Sequence, residues 1–152
     1  MKSIVFCSSQ RFAKDMYVFM DKLADLAKQK GVNIAILHPE FEREYKPLRY
    51  KHEKDRLDDP VYRSQVAGMV YDHLFRKVKV ADVCFVYNKD GYIGVNTSGE
   101  LFAAAVLGKM IYAFDDKTLM GHYPSDLYEE PSVRKLVHEV VSTPADLLLR
   151  LI

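Results

Sequence analysis

Residues 87–111 read YNKDGYIGVNTSGELFAAAVLGKMI, and the fold turns on how this stretch is divided. The residues before it, ADVCFV, form a short apolar run that reads as a buried strand, Val83 to Tyr87. The alanine-rich end reads as a helix, Thr97 to Leu107, closed by Gly108. Residues 88–100, the loop and the head of the helix, hold three glycines, two asparagines, one Asp and one Glu. Strand, glycine loop and helix in that order make one βα unit, and open α/β sheets bind ligands at the carboxyl ends of their parallel strands. Gly91 and Gly94 permit close backbone approach and positive φ. Asn88, Asp90, Asn96 and Ser98 offer polar contacts to a hydroxyl-rich ligand. Tyr92 is either a ring that stacks on a base or a plug between loops. Glu100 stands early in the predicted helix, where the helix dipole favours an ionised carboxylate. It is either a favourable first-turn acid or a nucleophile for an anomeric carbon.

Outward from this unit, the chain alternates strand and helix. Lys2 to Cys7 is a β-rich run. Ser8, Ser9 and Gln10 break it, and a helix follows to about Lys30, with Phe12, Met16, Phe19, Leu23 and Leu26 at helical spacing and Gly31 at its end. Val32 to Leu37 is the second strand. His38 to Pro60 is polar and irregular, with five acidic residues between Glu40 and Asp55, and long connections of this kind are functional or mobile. The Lys46 to Arg56 part reads as a solvated loop, or as a lid in which Tyr45, Tyr50 or Arg49 covers a ligand. Val61 to about Val80 is a helix with Val66, Met69, Val70, Leu74 and Val78 on one face. Met110 to Phe114 is the fourth strand, Asp115 to Pro131 a second polar loop, Ser132 to Leu136 a helical turn and Glu139 to Val141 a brief fifth strand. Thr143 followed by Pro144 marks the start of a final helix, Ala145 to Leu151.

Strands alternating with helices imply parallel pairing. Five such strands predict a flavodoxin-like or related Rossmann-like doubly wound α/β sheet of order 2-1-3-4-5, in which the loops after strands one and three lie side by side. The first of these loops, FCSSQRFAKD, places Ser8 and Ser9 at a strand end and Gln10 and Arg11 at a helix start. Such a start either caps its own helix or receives an anion. The chain has no GxGxxG and no Walker lysine motif, which removes the usual dinucleotide and P-loop readings.

A length of 152 residues with 49% apolar content suits a single domain spanning 1–152 with one core. The net charge of +1, with both signs mixed, argues against a nucleic-acid partner. No apolar run reaches the roughly 18 residues of a membrane span. The opening MKSIVFC reads as a first strand rather than a signal peptide. Cys7 and Cys84 lack CxxC spacing and read as reduced core residues, which fits a cytoplasmic protein. The histidines His38, His52, His122 and His138 share no metal-ligand spacing, so neither a metal nor another cofactor is expected. His73, beside an apolar face, reads as a packed or hydrogen-bonded helix residue.

Three segments, IVFCSSQRFAKDM, HLFRKVKVADVCFVYN and GYIGVNTSGELFAAAVLGKMIYAF, together resemble the nucleoside 2-deoxyribosyltransferase-like superfamily over nearly the full length. The first resembles the opening of the 2′-deoxynucleoside 5′-phosphate N-hydrolases of that superfamily. The resemblance implies cleavage or transfer at the N-glycosidic bond of a nucleoside or its 5′-monophosphate, with Glu100 as nucleophile on C1′. Ser8, Ser9 and Arg11 would hold the 5′ end, and Asn88, Asp90 and Asn96 would surround the sugar. It also implies a homo-oligomer. The chain departs from the superfamily at three places. A strand-one Tyr that holds the nucleophile falls here on Val5 or Phe6. A helix Asp, counted back from Asp82, falls on Leu74, after Asp72 and His73. An acidic residue shortly before the nucleophile is Gly94. Asp90 or Asp72 would then be the acid that protonates the leaving base. The other reading is a non-catalytic nucleotide-binding or sensing module on the same scaffold.

Overall fold

The computed structural model of the chain describes residues 1–41, 53–117 and 131–152. Of the predicted Lys46 to Arg56 lid only 53–56 lie among them; Tyr45, Arg49, Tyr50, His52, His122 and most of the Asp115 to Pro131 loop lie outside. Five parallel strands form one sheet of order β2-β1-β3-β4-β5: β1 Lys2–Cys7, β2 Ile34–Leu37, β3 Val83–Val86, β4 Met110–Ala113 and β5 Glu139–Val140. This is the predicted order. The central strands are nearly continuous apolar runs because both of their faces are covered. Ile4 to Cys7 and Cys84 to Val86 are fully buried.

Alternation along the strands divides the core. Ile4, Phe6 and Phe85 point to one face, where α1 (Ala13–Gln29) and α6 (Pro144–Leu151) supply Met16, Phe19, Leu23, Leu147 and Leu148. Val5, Cys7, Cys84 and Val86 point to the other, against Leu101 and Ala104 of α4 (Val95–Val106), Val133 of α5 (Pro131–Arg134) and Val78. Helix starts follow their caps. Asp59 accepts from the backbone N–H groups of Val61 and Tyr62 ahead of Pro60 in α3 (Pro60–His73). Thr143 Oγ1 accepts from Asp146 N at 3.1 Å ahead of Pro144 in α6.

Three departures from the sequence reading bear on the site. The polar stretch after strand two contains a short helix, α2 (Glu53–Leu57). The predicted helix Val61 to Val80 is two structures: α3, then a π-helical turn over Leu74–Val78 in which Lys79 N donates to Leu74 O. Val66, Met69, Val70 and Leu74 are therefore only half-buried, while Tyr62, His73 and Val78 are buried. Finally, α4 begins at Val95 rather than Thr97, which moves Glu100 out of the first turn.

Candidate active site

Parallel pairing of β1 with β3, with Cys7 opposite Val86, brings the ends of both strands together. The two loops that leave them are stitched to each other. Tyr87 N donates to Cys7 O at 2.9 Å, and the Ser8 hydroxyl donates to Tyr87 O at 3.0 Å. The Arg11 guanidinium lies 3.8 Å from the centre of the Tyr92 ring, and Phe12 meets the same ring edge-on at 6.0 Å. Tyr92 thus bridges the two loops.

Under this junction, on the α4 face of the sheet, three buried side chains converge. His73 Nδ1 is 2.8 Å from Glu100 Oε1, and His73 Nε2 is 3.0 Å from the carbonyl oxygen of Phe6. His73 and Glu100 are 3% and 7% exposed, so the pair is largely out of water. Cys7 is the third member: its Sγ, a ring nitrogen of His73 and a carboxylate oxygen of Glu100 all lie within 4.8 Å of one another. The Cys7 and Cys84 sulfurs are 3.6 Å apart, and neither cysteine is in a disulfide. The hydrogen bond with Cys84, burial and the negative charge of Glu100 all push the Cys7 thiol well above its ordinary range. Cys7 therefore stays a neutral thiol.

Glu100 owes its environment to this pairing. As the sixth residue of α4 it stands beyond the first turn, where the dipole acts most strongly. His73 is the last residue of α3, directly before the π-turn over Leu74–Val78. Val5 and Phe6, at the place of the expected Tyr, offer no hydroxyl, and Phe6 supplies its backbone carbonyl to His73 instead.

The remaining predicted residues divide by location. Asn88 is fully buried and locked to Asp115, its Nδ2 donating to the Asp115 carbonyl and its Oδ1 accepting from Asp115 N, both at 2.9 Å. Arg134 also donates to the Asp115 carbonyl. Asn88 therefore joins the loop after β3 to the loop after β4. Asp90 has a left-handed φ of 57°. Its N–H donates to Asp115 Oδ2, and its carboxylate is 58% exposed, 3.8 Å from Lys117 Nζ. Gly91 adopts φ 84°, as a glycine there permits. Gly94 does not adopt positive φ: its φ is −73°. Ser98 donates back to the Gly94 carbonyl. Asn96, Gln10 and Arg11 are exposed. Ser9 occupies the cap position of the 3₁₀ turn Gln10–Phe12 without a side-chain capping bond. Asp72 is not brought to Glu100. It pairs with Arg76 at 3.5 Å and Lys77 at 3.8 Å, on a groove of about 600 Å³ whose lining includes Tyr71 and Phe75 but not Glu100.

Sequence reasoning missed the partnership of Cys7 and His73 with Glu100, because the three are far apart in the chain. His73 was legible as a hydrogen-bonded helix residue, and its partners were not. Among the described residues, Cys7, His73 and Glu100 are also the group whose atoms could hold a metal ion. No described helix is long and apolar enough to cross a membrane.

No family model matches the sequence, and no curated protein matches it. Solved structures do. A conserved protein from Enterococcus faecalis V583 aligns over 99% of this chain and 97% of its own, with a TM-score of 0.54 and 17% identity. A 2-deoxyribosyltransferase from the psychrotolerant bacterium Bacillus psychrosaccharolyticus aligns over 95% and 89%, with a TM-score of 0.48 and 18% identity. At such identity the likeness to the Enterococcus protein is one of fold, and it places the chain among doubly wound α/β proteins with a parallel five-stranded sheet of order 2-1-3-4-5.

Proposed function

We propose that the protein cleaves or transfers the N-glycosidic bond of a nucleoside or nucleoside 5′-monophosphate, with Glu100 as the nucleophile. The observation that carries this reading is the buried pairing of Glu100 with His73 under the junction of the β1 and β3 loops. A carboxylate is costly to bury, and an oriented hydrogen bond to an imidazole offsets that cost. The resemblance of GVNTSGEL to the nucleophile segment of the 2-deoxyribosyltransferase-like superfamily points to the same residue.

In the proposed reaction a carboxylate oxygen of Glu100 forms a bond to C1′ while the C1′–N bond breaks. The electron pair leaves with the base, which takes up a proton. Asp90, exposed on the loop before Glu100, is the proposed donor of that proton. Water or a second base then attacks C1′ and frees Glu100. Ser9, Gln10 and Arg11 stand at the mouth of the β1 loop, where a 5′ phosphate would meet the guanidinium.

The test is incubation with the four common deoxynucleosides and their 5′-monophosphates, with and without an acceptor base, followed by chromatography for free or exchanged base. We expect release by the native chain and a loss of at least about 100-fold in Glu100→Gln, because Gln cannot form the glycosyl ester. Binding without release in both would favour the sensing module instead.

A further inference from the structure

The hydrogen bonds of His73 determine where its protons sit, and this has consequences for Glu100. The carbonyl of Phe6 can only accept, so Nε2 must carry a hydrogen to make its 3.0 Å contact. The tautomer is assigned from these partners. With Nε2 protonated, the 2.8 Å contact between Nδ1 and Oε1 still needs a proton between them. Either His73 is an imidazolium facing a carboxylate, or it is a neutral ring facing a carboxylic acid. Both arrangements have the same net charge and the same number of protons.

We propose that His73 is the positioning residue of Glu100, locked by the Phe6 carbonyl so that one proton lies on the Nδ1–Oε1 axis. The inference rests on the reading of Glu100 as nucleophile. Oε1 is committed to the ring, and Oε2 is the oxygen presented to C1′. The lock does the work of the strand-one Tyr and helix Asp that the chain lacks, with a backbone carbonyl and an imidazole. The titratable groups that face the pair among the described residues are Cys7 from β1 and, behind it, Cys84 from β3. Lys77, farther along the same helix, is turned to the His38 carbonyl and Glu40.

Two substitutions and one spectrum test the lock. Asn places a donor near Nδ1 that does not titrate. We expect His73→Asn to keep base release within about 10-fold of the native chain. Gln reaches toward the Phe6 carbonyl and leaves Glu100 without its donor. His73→Gln should lose roughly 100-fold in kcat with little change in KM, the size of one lost donor at a reacting group. Long-range ¹⁵N–¹H spectra of the native chain, with the ring assigned against His73→Asn, should show Nε2 protonated between about pH 6 and 8. An Nε2 without its proton in that range, or a His73→Gln chain whose kcat matches the native one, would overturn the proposal. If no substrate of the panel is turned over, the nucleophile reading fails separately, and the state of Nε2 alone decides whether the lock exists.

Discussion

The two faces of the sheet are built from the same strands and serve opposite ends. Phe6 and Cys7 are neighbours in β1, yet Phe6 packs edge-on against Phe85 at 5.0 Å, while Cys7 points to the His73–Glu100 pair. The α1–α6 face is an apolar core of stacked and edge-on rings, Phe19 on Phe85 and Tyr87 on Phe114 among them. The α4 face carries a comparable aliphatic core, but a carboxylate and an imidazole are inserted into it. One face supplies stability. The other gives up part of its apolar burial to hold two ionisable groups in a fixed arrangement, which is what a preorganised site requires.

Removing Phe85 should break this comparison most visibly. Phe85→Ala deletes a fully buried ring and should cost about 3–5 kcal/mol of stability, read as a fall in Tm of about 10 °C or more for a chain of this size. Glu100→Gln, on the other face, should shift Tm by no more than a few degrees, because Gln can keep the bond to His73. Equal losses from the two would show that Glu100 is a structural residue.

Asn88 lies between the two extremes. Its amide is satisfied by both backbone groups of Asp115, so Asn88→Ala should cost about 1–3 kcal/mol by denaturant titration. It should also raise hydrogen exchange at the Asp115 amide, since Asn88 ties the loops together.

The smallest effect is expected at the opposite end of the sheet. Bonds from the Ser3 backbone and hydroxyl hold the exposed Asp82 carboxyl below its ordinary range. A depressed carboxyl stabilises the fold above its unfolded titration range, and that contribution is lost as pH falls through its folded one. Asp82→Asn should therefore be slightly less stable than the native chain at neutral pH, and the two should converge in acid.

Much of the fold was legible because periodicity is local. The strand runs, the α1 stripe, Gly31 and the Thr143–Pro144 start each declare themselves within a few residues. The site was legible only where it is local too. Glu100 announced itself through its glycine loop, but its partners come from β1 and α3 and meet it only after the sheet is assembled. Asn88, read from the sequence as a polar contact, bonds to both backbone groups of Asp115, far along the chain. A side chain's partner across the fold is not encoded in its neighbours.

The central claim is that Glu100 forms a bond to the sugar. Rapid quenching of the native chain during turnover of a deoxynucleoside substrate, followed by mass analysis of its peptides, tests it directly. The account predicts a deoxyribosyl group on the peptide containing Glu100, absent in Glu100→Gln. A sugar attached elsewhere, or base release that continues unchanged in Glu100→Gln, would contradict it.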